Sequence, residues 1–359
     1  MNGVGLRPNA FAGSGTAVRR EANCSVLLGF MLFVWFRPWP SWLGRQTACP
    51  SFYYIDFPVW IVHRRALCHR VAYDITNLGP IDLIPPTEYV GCLCMKPHTD
   101  RTPTIAILSD IHSNLIALKS VLRDVRESGA RQIVFLGDIV GYGPHPAECI
   151  DWVRKLGGHC VMGNHDAAIK MCRQPGFRFP QSNWRDDDYA AGLVYSAEQL
   201  NDEQASWLAA LPYWMEISGA VVAHASLDDM NFFNYIEDDE SARPSLDLLS
   251  KSAVKIGFFG HTHRQEVFPE SADGLEWLGE NRFRIRDGMP CVVMAGSVGQ
   301  NRHETDRRAC WTLWEPATQT VEFRRVEYDR MNAARQVINA GLPKSGAARL
   351  LMPGEQAKS

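Results

Sequence analysis

The sequence predicts an α/β fold built around a parallel β-sheet. From residue 104 onward, three apolar segments of strand length alternate with amphipathic segments of helical spacing. This order is typical of parallel strands joined by right-handed crossovers. Each apolar segment also ends in polar residues. Because the carboxyl ends of parallel strands meet at one edge of a sheet, where ligands collect, we expect a functional site at that edge.

The first predicted strand, residues 104–108, ends in two polar side chains that can act together. Asp110 and His112 are residues i and i+2 of an extended segment, so they project to the same side and can bind one ion. An Asp-x-His pattern is weak evidence by itself, because a three-residue pattern recurs by chance. Its weight comes from the polar residues that end the later strands.

Two further units follow with the same organisation. The second predicted strand, residues 132–136, ends in Gly137-Asp138, and the third, residues 159–162, runs into Gly163-Asn164-His165-Asp166. Capping residues, proline and glycine favour the starts and ends of helices. They delimit both intervening helices: Ser113 or Asn114 and Gly129 for the first, and Pro146 and Gly157-Gly158 for the second.

The rest of the chain predicts helices and then more strands. Residues 177–211 are predicted to be helical, and the acids Asp186 to Asp188 suit a solvated helix start, where the helix dipole favours negative charge. Three strands end in small or histidine residues: 220–223 before His224, 255–259 before Gly260-His261-Thr262-His263, and 291–294 before Ala295-Gly296-Ser297. Alternation predicts an antiparallel pair at 309–314 and 320–326, followed by a helix at 330–340 and a loose tail at 344–359.

Residues 1–94 differ in composition from the rest of the chain. They contain eight Arg, no Lys and five acids, whereas the remaining residues contain 29 basic and 35 acidic side chains. Their apolar segment, residues 25–36, is shorter than the roughly 20 residues needed to span a bilayer, and no signal-peptide cleavage pattern follows it. We expect a poorly structured extension, explained by a start codon assigned upstream of the natural one at Met95. The alternative is a signal anchor.

Composition narrows the class of function. The mild acidity of residues 95–359 argues against a broad nucleic-acid groove, although it does not exclude a nucleotide. The ten Cys form no CxxC motif, so reduced thiols in a cytoplasmic protein are expected. A zinc cluster of Cys68, His69, Cys92 and Cys94 would fit no standard ligand spacing.

The order of the polar strand ends resembles the calcineurin-like metallophosphoesterase superfamily. Six predicted strands end in Asp-x-His, Gly-Asp, Gly-Asn-His-Asp, a single His, Gly-His-x-His and Gly-Ser, within residues 104–342. Each motif alone is weak, but the five metal motifs in this order are a strong signal. The resemblance implies a domain of residues 95–343 with the metal site at the strand ends. Its fold would be a four-layer α/β/β/α sandwich of two mixed sheets with flanking helices.

The resemblance also implies two adjacent divalent metal ions as cofactors. Imidazole and carboxylate ligands together suit the borderline ions Mn, Fe, Zn or Ni. Without cations, so many polar groups at one sheet edge would repel each other or lie unsatisfied. The implied ligands are Asp110, His112 and His263 for one ion, Asn164, His224 and His261 for the other, and Asp138 as the bridge.

The implied reaction is phosphoester hydrolysis without a covalent enzyme intermediate. Two metal ions about 3.5–4 Å apart lower the pKa of a shared water and bind phosphoryl oxygens. The bridging hydroxide attacks phosphorus in line, and the family pattern places His165 as the general acid that protonates the departing alkoxide. The predicted function is a dinuclear phosphoesterase acting on phosphodiester or phosphoanhydride bonds of small molecules or nucleotides.

Differences between this sequence and the motifs of individual subgroups of the family narrow the expected class of substrate. Protein serine/threonine phosphatases of the superfamily carry Gly-Asp-x-x-Asp-Arg-Gly, in which the second Asp supports the catalytic His and the Arg binds phosphate. This chain has Gly141 and Tyr142 at those two places, which argues against a protein phosphatase. The segments 141–144 and 296–302 are similar instead to small prokaryotic phosphodiesterases, some of which hydrolyse dinucleoside polyphosphates.

Two roles stay open at the level of sequence. The partner of His165 is not identified, and Asp166 is a candidate by position only. After His224, several relatives place an Arg, whereas this chain has the acids Asp228 and Asp229. Arg302 is a candidate for the missing substrate contact, with an exposed structural Arg as the alternative.

A non-catalytic scaffold of the same fold is the alternative function, and within enzymes the alternatives are a nuclease or a protein phosphatase. Scaffold members typically lose the catalytic His or several ligands, whereas this chain retains them all. We expect a small phosphorylated or nucleotide substrate, no broad nucleic-acid surface, no membrane association and a cytoplasmic location.

Overall fold

The computed structural model describes residues 103–180, 183–229 and 232–355. The extension predicted at residues 1–94 lies outside the described residues. The strands are β1 (Ile105–Leu108), β2 (Gln132–Phe135), β3 (His159–Cys160), β4 (Trp214–Ile217), β5 (Ala220–Ala223), β6 (Ile256–Phe259), β7 (Gln265–Pro269), β8 (Leu275–Trp277), β9 (Arg282–Ile285), β10 (Cys291–Ala295), β11 (Ala309–Glu315) and β12 (Thr320–Val326). The helices are α1 (Leu115–Ser128), α2 (Pro146–Leu156), α3 (Asn164–Cys172), α4 (Asp188–Gln199), α5 (Asp202–Ala209), α6 (Asp239–Lys251), α7 (Arg330–Asn339) and α8 (Lys344–Arg349).

The strands form two mixed sheets. The first has the order β3-β2-β1-β11-β12-β9-β8, in which β1, β2 and β3 are parallel and β11 is antiparallel to β1. The second has the order β4-β5-β6-β10-β7, in which β5, β6 and β10 are parallel and both edge strands are antiparallel to their neighbours. The parallel arrangement predicted from the strand and helix repeats is therefore confirmed for β1, β2 and β3.

Alternating side chains place the two sheets in the middle of a four-layer sandwich. Along β1, Ala106 and Leu108 pack under the helices, while Ile105 and Ile107 pack against the second sheet, as the period of two in a strand requires. The opposite face of the second sheet packs against α6, where Phe259 meets residues of that helix. The order helix, sheet, sheet, helix confirms the predicted fold class.

The helix boundaries near the site follow from local chemistry. Asn114 caps α1, since its Oδ1 accepts a hydrogen bond of 3.1 Å from the Ala117 N–H. Gly129 ends α1 in the left-handed conformation, with φ 77°. Pro146 occupies the first position of α2, where its missing N–H costs nothing. These boundaries agree with the prediction and direct the preceding loops toward the sheet edge.

Several elements differ from the prediction. The strand predicted at 159–162 is only two residues long, and α3, α6, α8, β4 and β7 to β9 were not predicted. Pro244 lies inside α6 and interrupts its helical pattern in the sequence. The tail predicted to be loose from residue 344 contains α8, and Leu350 and Leu351 after it are buried.

The solvated helix start predicted at Asp186 to Asp188 is wrong for Asp188. Its side chain is buried and accepts hydrogen bonds from Ser345 and from Arg349 Nε, the latter at 2.8 Å. Asp187 performs the expected role, because its Oδ1 caps α4 at 2.8 Å from the Ala190 N–H. Asp188 thus attaches α8 to α4, a tertiary contact with no signal in the local sequence.

Two further observations bear on the predicted environment. The five cysteines in the described ranges, Cys149, Cys160, Cys172, Cys291 and Cys310, are all free. Within those ranges, the helices are too short or too polar for any of them to cross a bilayer. The cytoplasmic location stays a prediction.

Two leucines on α6 allow a test of whether this helix packs against the second sheet as the fourth layer. Leu246 is 2% exposed between α6 and the second sheet, whereas Leu248 on the same helix is 45% exposed. Replacing Leu246 by Ala removes buried methyl groups and leaves a cavity, so we expect a loss of about 3 kcal/mol in the free energy of unfolding. Leu248→Ala is the matched control and should change it by less than about 0.5 kcal/mol. Equal effects in urea denaturation would contradict the packing described here.

Candidate metal centre

The loops that follow the parallel strands of both sheets meet at one edge. The His112 N–H donates to the Asp138 carbonyl at 2.9 Å, which joins the loops after β1 and β2. The loop after β6 reaches the same place, because the His261 N–H donates to Asp110 Oδ2 at 3.0 Å. The loop after β10 joins them through Ser297, whose Oγ donates to the Asp110 carbonyl at 2.8 Å. Hydrogen bonds that each involve a backbone group therefore hold the polar strand ends together.

The backbone of these loops is unusually strained. Left-handed conformations cost non-glycine residues roughly 1–3 kcal/mol each and cluster at functional sites. The loops are also tightly packed, since a Cβ on Gly163 would lie 2.1 Å from Asp138 Oδ1. Of the ten described non-glycine residues with positive φ, seven lie in the site loops: Asp110, His112, Ser113, Asp138, Tyr142, His261 and His263.

Asp110, His112 and His263 form the first ligand cluster. His263 Nε2 lies 3.3 Å from Asp110 Oδ1, and His112 Nε2 lies 3.7 Å from the same oxygen. The two Nε2 atoms are 3.0 Å apart. All three side chains are buried. The structure thus brings together the three residues that the sequence assigned to one ion.

The second cluster surrounds His224. Its Nε2 lies 3.4 Å from Asp138 Oδ2, 3.1 Å from Asn164 Oδ1 and 3.1 Å from His261 Nδ1. Asp138 Oδ2 is also 3.6 Å from His112 Nε2, in the first cluster. Asp138 therefore lies between the two groups, at the position predicted for a bridging carboxylate.

The hydrogen bonds of the imidazoles indicate that a cation fits this site. Nδ1 of His112, His224 and His263 lies 3.1, 2.7 and 2.7 Å from the carbonyl oxygens of Val140, Leu136 and Gln300, respectively. A carbonyl only accepts, so each Nδ1 carries the proton, and in the neutral ring Nε2 holds a lone pair. The Nε2 atoms of His112 and His263 then present two lone pairs to each other across 3.0 Å. A cation between them would satisfy both.

The electrostatic environment also favours positive charge. Burial raises the pKa of Asp138, but the neighbouring His224 and His165 outweigh it and hold the pKa well below its usual range. Burial lowers the pKa of His224, yet the charge of Asp138 and a hydrogen bond to it raise the pKa to about 9. The two buried carboxylates, Asp110 and Asp138, remain ionised at neutral pH. Their field would stabilise any cation placed between the imidazoles.

His165 lies beside the proposed ligands, and its imidazole packs against three other rings. Its Nε2 is 3.9 Å from Asp138 Oδ2, and its ring centroid is 4.6 to 4.7 Å from those of His112, Tyr142 and Tyr189. Burial lowers the pKa of His165 to about 3, against the opposing effect of Asp138. His165 is therefore neutral in the free protein at neutral pH. A bound anion would raise its pKa toward the range of a useful acid.

Asp166 does not act as the partner of His165. Its Oδ1 accepts hydrogen bonds from the N–H groups of Ile139 and Val140 at 3.0 and 3.3 Å, and its Oδ2 accepts one from the Gly163 N–H at 3.1 Å. Among the described residues, His165 Nδ1 has no hydrogen-bond partner. Asp166 therefore orders the loop after β2 and the start of α3.

Gly141 stands against His165 where a protein phosphatase would have its supporting Asp. A Cβ on Gly141 would lie 2.1 Å from His165 Nδ1, and the φ of Gly141 is +94°. Gly141→Ala should therefore displace the His165 imidazole. We expect kcat for the predicted phosphoester hydrolysis to fall by about tenfold or more, since small misplacements of catalytic groups are costly. Steady-state kinetics of the variant checks this expectation.

Gly129 offers a matched control for that substitution. It also has a positive φ, +77°, but a Cβ there would have no heavy atom within 4 Å. Gly129→Ala should cost about 1 kcal/mol of stability through the backbone alone and leave kcat unchanged. Unchanged kcat in Gly141→Ala would show that His165 needs no such close packing.

Arg302 lies at the edge of the same centre. Its N–H donates to the His263 carbonyl at 3.3 Å, and its charge acts on the pKa values of Tyr142, His261 and His263. Within the described part of the chain, its buried Nε has no hydrogen-bond partner. A guanidinium with an unused donor at the edge of the ligand cluster is suited to bind an anion.

Three tyrosines around the centre were not predicted as site residues. Tyr142 and Tyr189 contact His165, and Tyr235 stacks on His261 with ring centroids 3.8 Å apart. Burial raises the pKa of Tyr142 to about 12, so its hydroxyl stays protonated. Tyr235 lies in an irregular loop without periodicity, and nothing in the sequence marks it. Tyr142 was visible only as the residue that replaces an arginine.

The arrangement can bind one or two divalent cations next to the buried imidazole of His165 and the guanidinium of Arg302. Such a set of groups can polarise a phosphoester, supply a nucleophile and protonate a leaving group. Among the residues that the structure describes, none of the Ser or Cys side chains is recorded in a hydrogen bond with a His of this cluster.

Comparison with known proteins agrees with this chemistry. Residues 103–265 match the family model described as calcineurin-like phosphoesterase. A protein of Methanocaldococcus jannaschii, named uncharacterized protein MJ0912, is 30% identical over 252 residues, which cover 69% of this chain and 97% of the relative.

Solved structures show the same relationship. The crystal structure of a metallophosphoesterase from Sphaerobacter thermophilus is 32% identical, with a TM-score of 0.57, over 69% of this chain and 98% of that one. Hypothetical protein PH1004 from Pyrococcus horikoshii shares the fold at 20% identity and a TM-score of 0.56, over 70% of this chain and 99% of that one. The chain therefore belongs to the calcineurin-like phosphoesterase family.

Proposed function

We propose that the protein is a dinuclear metal-dependent phosphoesterase that hydrolyses phosphodiester or phosphoanhydride bonds of small molecules or nucleotides. One observation carries this proposal: the seven ligand side chains lie together, six of them buried and Asn164 partly buried, and the opposed Nε2 atoms of His112 and His263 suit a shared cation. A scaffold would gain nothing from retaining this strained, charged cluster. Family membership supports a hydrolase of phosphoesters.

Each ligand group has a defined part in holding the cofactors. Bound divalent ions would supply a hydroxide nucleophile at neutral pH and would offset the charge of the phosphoryl oxygens. Asp138 would contact both ions. The remaining ligands divide into Asp110, His112 and His263 for one ion, and Asn164, His224 and His261 for the other. Mixed nitrogen and oxygen ligands suit Mn, Fe, Zn or Ni.

His165 and Arg302 would act on the substrate directly. The Nε2 of His165 lies 3.9 Å from Asp138 Oδ2, within the ligand cluster. A proton on this Nε2 would therefore be within reach of the leaving oxygen of a phosphoester bound over the ligands. Arg302 would donate its unused Nε–H to a phosphoryl oxygen. In the complex, the anionic phosphoryl group raises the pKa of His165, which makes the imidazolium available as the general acid.

The walls of the site favour a small substrate. Gly141 and Tyr142 occupy the positions at which protein phosphatases have a supporting Asp and a phosphate-binding Arg, so these two positions supply neither group. Tyr142 and Tyr189 crowd the general acid and narrow the approach. These features support a small phosphoester or nucleotide rather than a phosphoprotein. The free cysteines support a cytoplasmic location.

Hydrolysis of bis(p-nitrophenyl) phosphate tests the proposal. The purified protein should release p-nitrophenolate when Mn, Fe, Zn or Ni is supplied, and EDTA should abolish the activity until metal is restored. Asp138→Asn provides the background rate. If no divalent ion raises turnover above that background with this or other small phosphoesters, the scaffold explanation replaces the enzyme.

A further inference from the structure

Tyr235 presents an open aromatic face at the mouth of the metal centre. Its ring stacks on His261 with a centroid distance of 3.8 Å and an interplanar angle of 25°. The residue is nevertheless 47% exposed. Since His261 covers one face of the ring, the exposed part is the opposite face. Among the described residues, His261 is the one ring recorded against Tyr235, so the exposed part of the Tyr235 ring is available to a second planar group.

The position of Tyr235 is fixed by its neighbours in the loop. The Ser226 N–H donates to the Asn234 carbonyl at 3.2 Å, which closes the loop immediately before Tyr235. Ile236, immediately after it, is 1% exposed and packs with α6 and the second sheet. An aromatic ring anchored on both sides can bind a planar ligand at little cost in conformational entropy.

Other aromatic side chains extend this surface beside His224. The Phe233 ring lies 5.9 Å from that of His224 and 5.9 Å from that of Tyr213, which is 38% exposed. Phe232 is 77% exposed. We call Tyr213, Phe232, Phe233 and Tyr235 the aromatic rim. An exposed apolar surface that adjoins a polar site is typical of a ligand-binding region.

The charges nearby indicate what the planar group is attached to. The Arg302 N–H donates to the carbonyl of His263 at 3.3 Å, two residues along the chain from the His261 imidazole beneath Tyr235, and the buried Nε of Arg302 is unpartnered among the described residues. An aromatic face next to an unused guanidinium and a cation site matches a planar base joined to a phosphate.

We propose that Tyr235 determines specificity by stacking on the base of a nucleotide substrate. The proposal rests on the phosphoesterase function proposed above and names its substrate class. His165, which protonates the leaving group, contacts Tyr142 and Tyr189, whereas Tyr235 covers His261. The stacked base therefore belongs to the nucleoside that stays on phosphorus, and the leaving group departs on the side of His165.

Two diesters that share a leaving group test the proposal. They are the p-nitrophenyl ester of thymidine 5′-monophosphate and methyl p-nitrophenyl phosphate, which differ only in the retained group. The wild type should prefer the nucleotide ester in kcat/KM. Tyr235→Leu should lower that preference about tenfold, mainly through KM, because stacking of one base on an aromatic ring is lost. Tyr235→Phe keeps the ring and should keep the preference.

Controls separate stacking from a structural role. Trp277→Leu, on the exposed and remote strand β8, should leave the preference unchanged. Metal content, measured by mass spectrometry, should be the same in wild type and Tyr235→Leu. If Tyr235→Leu loses metal, or lowers kcat/KM for both esters equally, Tyr235 acts only on His261 and the proposal is wrong.

A binding measurement distinguishes failure of this proposal from failure of the enzyme function. Calorimetric titration of Mn-loaded protein with thymidine 5′-monophosphate should show affinity that falls about tenfold in Tyr235→Leu. Binding with this dependence but no turnover of either ester would contradict the enzyme and retain the nucleotide site. Turnover without any preference for the nucleotide ester would retain the enzyme function and contradict the nucleotide site. Should Tyr235→Leu not fold, stacking must appear as hypochromism of the nucleotide bound to wild type, and its absence would overturn the proposal.

Discussion

Asp138→Asn is expected to lower kcat by about 10³-fold or more and to reduce the divalent metal retained by the protein. Asp138 Oδ2 lies within 3.4 to 3.9 Å of Nε2 of His224, His112 and His165. Loss of its charge removes the group placed to contact both ions. Stabilisation by bound metal is worth several kcal/mol, and each 1.36 kcal/mol is a factor of about ten in rate.

The substitution is chosen so that the fold survives. Asp138 has a φ of 52°, and Asn tolerates this left-handed conformation better than other non-glycine residues that lack a carboxylate. The amide oxygen can still accept the hydrogen bond of 2.8 Å from the His165 N–H. Asp287→Asn, in an exposed turn, is the matched control and should behave as wild type. An Asp138→Asn protein with full activity and full metal content would contradict the bridging role.

His165→Ala should affect the reaction in a way that depends on the leaving group. For a diester with an alkoxide leaving group, we expect kcat to fall by about 10² to 10⁴, the usual contribution of general acid catalysis. For p-nitrophenolate the fall should be much smaller, because this weakly basic anion departs without a proton. Metal content should not change, since His165 is not among the seven proposed ligands.

Paired substrates make this prediction decisive. Methyl p-nitrophenyl phosphate and dimethyl phosphate carry leaving groups of very different basicity on similar diesters. The kcat of wild type and of His165→Ala is measured on both substrates, and the loss on dimethyl phosphate is divided by the loss on methyl p-nitrophenyl phosphate. A general loss of structure would lower kcat on both substrates alike and leave this quotient near one. Equal losses on the two substrates would assign His165 to binding or to folding instead of proton transfer.

The parts of the fold that follow from local rules could be predicted from the sequence. Asn114, Gly129 and Pro146 mark helix ends because capping and fixed φ values act within one turn. The buried strands before Asp110 and Asp138 stand out as apolar runs. The general place of the site could be predicted because parallel strands place their polar ends at one edge, whereas the individual ligands and the role of His165 followed from the resemblance to the family.

The remaining features depend on tertiary contacts that leave no local pattern. Asp188 looks like a solvated acid at a helix start but is buried against Arg349, more than 150 residues away. Asp166 lies next to His165 in sequence, yet its carboxylate binds backbone N–H groups across the loop. Tyr235 acquires its position from a loop closed by the backbone hydrogen bond between Ser226 and Asn234 and by the burial of Ile236.

The central claim is that the buried side chains around Asp138 bind two divalent ions. Anomalous diffraction from crystals of the Mn-loaded protein, with the metal content of the same preparation, tests it most directly. The account predicts two peaks on either side of the Asp138 carboxylate, one near His263 and one near His224, and two ions per chain. A protein that takes up no ion at saturating Mn, or whose ions lie away from Asp138, would contradict it.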